Sequence, residues 1–375
     1  MTVSPEIDFV LAGGASVGLG HIMRCAALAS EATRRGWHSR AFIDGDPVAS
    51  RSWCHASGRS DIERWQSWRP EGAARVTFVD HPGEKGTWLA RLKQANTRIV
   101  VLDDPRVSEQ ADLTVCPALH AVPLREPAQI ATGRWPNTFH RGNENSISRM
   151  LSGPRFAILS SAHRSTDHGP LRTRTQLLLS LGGADPHQVT PRIAPVLESV
   201  LRDSEVLHGI TTRHVVLGPA FKDPGSAIAE ALEDAGWWVH RGLDALPMAR
   251  LMSETKLAVM GFGTSLTELA WHGTPHLSVT HHPSDEGPAR TLEAMGIGVH
   301  LGYAGSLDLA VVESRFRQAL EDKNWQSASS RIAYEALGKG LGIERILDRI
   351  APWVHSTSGS TPEKPKSKGH HVAPF

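Results

Sequence analysis

The strongest constraint on this chain is a series of short apolar runs, each followed by a segment of helical periodicity. Residues 7–12, 75–80, 98–104, 176–182, 213–218, 256–261 and 276–280 are rich in Val, Ile and Leu and lack the polar alternation of a strand with one face in water. Strands of that kind are buried on both faces, which occurs in parallel sheets covered by helices. Residues 21–35 and 264–273 read as two of the covering helices. Between about 118 and 176 the pattern gives way to Pro, Gly, Arg and Ser, and strand–helix alternation then restarts. The expectation is α/β: an N-terminal domain over 1–165, a C-terminal domain over 172–354 and a cleft between them. Residues 355–375, with almost nothing to bury, are expected to be a disordered tail.

Composition excludes several classes of function. A length of 375 residues suits about two domains. Forty basic against thirty-nine acidic residues leave a net charge of +1, so no nucleic-acid partner is expected. Cys25, Cys54 and Cys116 are odd in number and widely spaced, unlike a disulfide framework or a zinc site, which points to a reducing cytoplasm. No apolar run approaches the roughly 20 residues of a membrane span, and no basic segment precedes the first apolar stretch. A cytoplasmic protein acting on a small molecule, with no integral membrane segment, is expected.

The run Gly13–Cys25, GGASVGLGHIMRC, follows the first strand. A phosphate loop of the ATPase kind needs Lys and Ser or Thr after its last glycine, and Gly18 is followed by Leu19 and Gly20. No register of Gly13, Gly14, Gly18 and Gly20 gives the dinucleotide pattern G-x-G-x-x-G. What remains is a flexible turn with His21 at a helix start, outside the carboxyl end of a strand, where α/β proteins bind ligands. The helix dipole there disfavours imidazolium, so His21 suits a general base; a histidine that merely caps the helix fits the same spacing.

A second turn, Val259–Pro275, reads VMGFGTSLTELAWHGTP. A strand ending near Gly261, a Gly-Phe-Gly turn and a helix opening at Thr264–Ser265 would present free amides to a diphosphate. Glu268, one turn on, suits a ribose. The same Ser/Thr-x-x-Glu spacing is equally a capping box, with Thr264 or Ser265 as N-cap.

In order along residues 7–300, GLGHIMRCAALA, FVDHPG, VVLDD, LSLGGADP and GFGTSLTELAWHGTP resemble the PseG family of UDP-sugar hydrolases of pseudaminic acid biosynthesis and the related spore-coat polysaccharide proteins. They are more distantly similar to the lipid II glycosyltransferase MurG. The resemblance implies the GT-B architecture, two Rossmann-like domains with the nucleotide held mainly by the second, and chemistry in the cleft that needs no metal and no cofactor. It places the catalytic histidine at His21, with Gly18 and Gly20 beside it. Nucleotide and diphosphate binding fall on these glycines and on Gly263, Thr264, Ser265 and Glu268. Gly182, Gly183 and Asp185 match a loop near the sugar or diphosphate.

Two positions depart from the family. Pro82 stands where the hydrolases carry tyrosine, and Ser284–Asp285 where they carry an asparagine–glutamine pair. Proline supplies neither donor nor acid, so His81, at the end of a strand facing the cleft, is expected to take a catalytic role. Asp44-Gly45-Asp46 and Asp103-Asp104 are weak metal-site candidates, since acidic residues are common at strand ends and turns. His281 and His282, if extended, point apart and do not suit joint ligation, and His276 nearby changes this little. Most of the eleven tryptophans are expected in cores or at the domain interface. The expected reaction is displacement at the anomeric carbon of a UDP-type sugar by water. Transfer of the sugar to a hydroxyl acceptor and a non-catalytic nucleotide-sugar sensor are the alternatives.

Overall fold

The computed structural model describes residues 6–14, 17–81, 85–120, 149–203 and 209–355. Pro82, residues 121–148 of the irregular stretch and the expected tail beyond His355 lie outside the described residues.

The α/β expectation holds: the described residues build two parallel sheets. The first contains β1 (Ile7–Gly13), β2 (Ser39–Gly45), β3 (Ile62–Arg64), β4 (Val76–Asp80), β5 (Arg98–Leu102), β6 (Leu113–Cys116) and β7 (Met150–Ser152), in the order β3-β2-β1-β4-β5-β6-β7. The second contains β8 (Gln176–Ser180), β9 (Thr212–Leu217), β10 (Trp238–Arg241), β11 (Thr255–Gly261), β12 (His276–Thr280) and β13 (Val299–Tyr303), in the order β10-β9-β8-β11-β12-β13. Every residue of β1 is buried, as its unbroken apolar sequence requires.

Each sheet reverses its winding once, at β1/β4 in the first and β8/β11 in the second. A parallel sheet opens a crevice outside its strand carboxyl ends at such a reversal, because the two flanking connections leave on opposite faces. Register brings the loops there level: Leu11 pairs with Asp80 and Ala12 with Asp44, while Met260 pairs with Ser180. The loops after β1 and β4, and those after β8 and β11, therefore define the candidate cleft.

The final helix, Gly342–Val354, does not cover the sheet that precedes it. Ile343, Ile346, Leu347, Ile350 and Val354 repeat at helical spacing and join the first core, beside Ile22, Cys25 and Leu28. In the opposite sense, Leu119, Ala157 and Leu159 pack in a core cluster with Leu178, Ala258 and Leu269 of the second sheet's domain. Burying each large aliphatic side chain contributes on the order of 1.5–3 kcal/mol. These two crossings tie the domains together.

Candidate active site in the interdomain cleft

The first half of the site begins with close packing. A Cβ at Gly13 would collide with Ile22, so glycine lets the helix Gly20–Arg34 approach β1. Gly14 and Gly18 exchange two backbone hydrogen bonds of 3.0 and 2.8 Å, and both have positive φ, which favours glycine. The turn delivers His21 to the first turn of that helix.

There His21 Nδ1 lies 2.7 Å from Asp80 Oδ1 at the end of β4. The carboxylate accepts from Nδ1, which also stands 3.1 Å from Arg24 Nη2, and in a neutral ring this tautomer leaves Nε2 with its lone pair. Arg24, one turn along the helix, donates to both oxygens of Asp80, from Nε at 2.5 Å and Nη2 at 2.6 Å. Its third nitrogen, Nη1, donates to Asp103 Oδ2 at 2.9 Å. Burial alone would push the Asp80 carboxyl up, but the charges and hydrogen bonds of Arg24 and His21 reverse this and hold it well below the usual carboxylate range. Burial likewise opposes the Arg24 charge, and Asp80 and Asp103 overcome it, leaving the guanidinium more firmly protonated than usual. Asp80 is therefore a fixed negative charge behind the ring of His21.

His81 Nε2 donates to Asp44 Oδ2 at 3.1 Å, across the end of β1, which lies between β4 and β2. Asp46 instead caps the helix Pro47–Ser57, accepting from Val48 and Ala49 amides. Asp104 is nearly inaccessible and binds the backbone and guanidinium of Arg106. The two acidic pairs singled out in the sequence thus face separate partners.

The second half comes from β8, β11 and β12. Gly263 is the N-cap of the helix Thr264–Trp271, and no side chain caps it. The capping box that Thr264 or Ser265 and Glu268 would form is absent, so the first-turn amides are not occupied by a side chain and Glu268 is free of that duty. The Glu268 carboxylate instead lies 3.5 Å from Nε2 of buried His163. In the loop after β8, Gly182 has a φ of 86°. A Cβ on Gly183 would stand 3.6 Å from the side chain of Leu19. The two oxygens of Asp185 accept from the amides of Val189 and Thr190, at 3.0 and 2.7 Å, and so hold the start of the following helix.

The halves meet. A Cβ on Gly20 would lie 3.5 Å from Thr264 Oγ1, so the glycine turn carrying His21 abuts the turn of Gly263, Thr264 and Ser265. Asp285 lies where it senses the charge of Asp103 and His120 from the first half of the chain. Burial pushes its carboxyl up, against the opposing pull of His282 and Ser284. His120 packs its ring 5.7 Å from that of Phe262, and burial pushes the imidazole down. His281 donates from Nε2 to the Leu181 carbonyl at 2.9 Å, while His276 is buried in β12.

Sequence reasoning missed Asp80 as the partner of His21, because 59 residues separate them. It also missed Arg24, although the spacing H-x-x-R sets both on one face of a helix. His120 and His163, in or beside an irregular segment, carried no signal.

The comparisons with solved structures extend over both domains. The kitacinnamycin glycotransferase matches with a TM-score of 0.58 at 13% identity, covering 93% of this chain and 99% of that one. MurG of Acinetobacter baumannii matches with a TM-score of 0.54 at 13% identity, covering 92% and 99%. The UDP-GlcNAc 2-epimerase of Neisseria meningitidis, solved with UDP-GlcNAc, matches with a TM-score of 0.55 at 10% identity, covering 92% and 99%. The chain has the GT-B fold. Two Rossmann-like domains flank a central cleft, as the motifs from GLGHIMRC to GFGTSLTE imply. No protein-family model and no curated protein matches the chain by sequence. At this identity the likeness establishes architecture, and among the described residues no helix is long and apolar enough to cross a membrane.

Proposed function

We propose that this chain is a nucleotide-sugar-processing enzyme that releases a nucleoside diphosphate, on the pattern of a UDP-sugar hydrolase, from a UDP-type sugar. The observation that carries the reading is the His21–Asp80 pair on the turn that meets the uncapped helix at Thr264. In this reading water attacks the anomeric carbon, and its proton passes to His21 Nε2. The bond from that carbon to the diphosphate oxygen breaks with its electron pair. The departing diphosphate gains negative charge beside the amides of Thr264 and Ser265, and Gly18, Gly20 and Gly263 leave room for it. Asp80 stabilises the imidazolium formed in that step and fixes the tautomer that can accept the proton, and Arg24 holds Asp80 in place. Glu268 accepts hydrogen bonds from the ribose, and Gly182 and Gly183 border the sugar or diphosphate. The chemistry asks for no cofactor.

The same geometry serves a hydroxyl acceptor in place of water, and glycosyltransferases stand among the structural neighbours. A panel of nucleotide sugars with and without candidate acceptors, read as free nucleoside diphosphate, separates the readings. Release without acceptor supports the hydrolase, and release only with acceptor supports the transferase. Binding with no release under either condition makes the chain a sensor and overturns the catalytic reading.

A further inference from the structure

Behind Glu268 lies a buried pair of histidines that the proposed chemistry leaves unused. His163 sits on the short helix Ser161–Arg164 in the segment that joins the two sheets, and its side chain is 2% exposed. Its Nδ1 lies 3.1 Å from His272 Nε2, and its Nε2 lies 3.5 Å from Glu268 Oε1. Its carbonyl accepts from Trp271 Nε1 at 2.9 Å, which ties its backbone to the helix carrying Glu268. His272 caps the far end of that helix, and its carbonyl accepts from Arg174 at 2.6 Å.

The hydrogens of this pair can be deduced. Burial, followed by the charges of His163, His168 and Arg174, pushes His272 down to about 3, so the ring is neutral and carries one hydrogen. Its Nδ1 is buried without a hydrogen-bond partner. A hydrogen there would be an orphaned donor, whereas a hydrogen on Nε2 finds His163 Nδ1. His163 Nδ1 then accepts, which sets the His163 hydrogen on Nε2, facing the carboxylate. A bare lone pair in that place would repel Glu268.

We propose that His163 is a positioning residue: its Nε2–H steers Oε1 of Glu268 from behind and turns the carboxylate toward the two ribose hydroxyls of the nucleotide. The inference rests on the reading of Glu268 as the ribose acceptor. A separation of 3.5 Å is longer than an ordinary N–H···O hydrogen bond, so the contact acts through the electrostatic pull of the ring hydrogen on the carboxylate and adds little binding of its own. It also links nucleotide recognition to the interdomain segment.

The test uses the full chain and two probes, UDP and 2′-deoxy-UDP, titrated by calorimetry. Wild type should prefer UDP at least about tenfold, and Glu268→Ala should abolish the preference. His163→Leu, similar in size and lacking the donor, should weaken UDP about three- to tenfold and 2′-deoxy-UDP, which keeps one of the two hydroxyls, by a clearly smaller factor. His163→Gln, which restores an N–H, should recover most of the preference. In the Glu268→Ala background, His163→Leu should change nothing further. Equal weakening of both probes, or no change with either, overturns the positioning role while sparing the ribose reading. If Glu268→Ala itself keeps the preference, the ribose reading fails, and the inference with it. Nitrogen-15 spectra of the wild-type imidazoles give a measurement that needs no variant. A hydrogen on His163 Nε2 supports the assignment, and a hydrogen confined to Nδ1 overturns it.

Discussion

Two histidine–carboxylate pairs approach the cleft from opposite domains, and they are built in reverse. In His21–Asp80 the carboxylate is 1% exposed and the imidazole 27%; in His163–Glu268 the imidazole is 2% exposed and the carboxylate 23%. The same two side chains therefore offer the cleft different chemistry. The first presents a ring nitrogen backed by a fixed negative charge, which suits taking a proton. The second presents a carboxylate backed by a ring hydrogen, which suits accepting from hydroxyls. Burial decides which partner acts and which one orients.

Breaking the first pair should have the larger effect. His21→Ala removes the only group of that pair that can reach an attacking water, and turnover should fall by about two to four orders of magnitude with nucleotide affinity nearly unchanged. Near-normal turnover in a folded variant would reduce His21 to a helix-capping residue. Asp80→Asn leaves the buried Arg24 guanidinium without its bidentate partner and allows the wrong His21 tautomer. Loss of about 3 kcal/mol in urea unfolding is expected, together with a fall in turnover. Because the Asp80 carboxyl is held below its unfolded value, the contribution of this pair is complete above about pH 4 and disappears only as pH falls through the depressed native value. In Asp80→Asn that acid limb should be missing.

This contrast explains what the sequence discloses. The apolar runs announce β1, β4, β5, β8, β9, β11 and β12, because strands buried on both faces need no context to be recognised. The others are shorter, more polar or interrupted. β2 carries Arg40, which pairs with Asp8, and β10 is an edge strand whose Trp238 is exposed. β13 contains Gly302. An amphipathic pattern identifies the final helix but not the sheet it covers, and its five buried aliphatics belong to the first core. Glycine turns locate His21 and Thr264, because backbone geometry is local. Partnerships are not local: Asp80 reaches His21 through sheet register, and His163 reaches Glu268 through a crossing between domains.

On the second pair the effects should be smaller. Glu268→Ala should weaken nucleoside diphosphate binding by about 1.5–3 kcal/mol, read by titration calorimetry, with little change in turnover at saturation. A large fall in saturated turnover with unchanged affinity would place Glu268 in the chemistry and erase the contrast between the pairs. The buried ring behind it leaves a mark on stability. His272 stays neutral in the folded chain down to about pH 3, whereas an unfolded histidine takes up a proton near pH 6.5. This ring should therefore account for about 2 kcal/mol of the stability lost between pH 7 and pH 5, and His272→Leu should shrink the drop in the urea-derived curve by that amount, leaving the share of buried His276, which is pushed down to about 4. A wild-type curve level over this range would mean that the ring charges in place.

The smallest effect expected is at His81. Pro82 supplies no hydroxyl and His81 stands next to it in sequence, yet its Nε2 is bound to Asp44, whose side chain is 47% exposed, at 3.1 Å. An exposed partner provides a weak, screened contact. It fixes no charge behind the ring comparable to Asp80, and a ring whose Nε2–H is given to Asp44 has less to offer a substrate. His81→Ala should lower turnover by about tenfold or less, below the loss at His21, and Asp44→Ala, which removes this contact, should change turnover by a smaller factor. A loss matching His21→Ala would make His81 a second proton-handling group and give the N-terminal half two catalytic histidines. Full activity with water as acceptor would leave His21 as the catalytic histidine of this half and show that the reaction needs no hydroxyl or ring at positions 81 and 82.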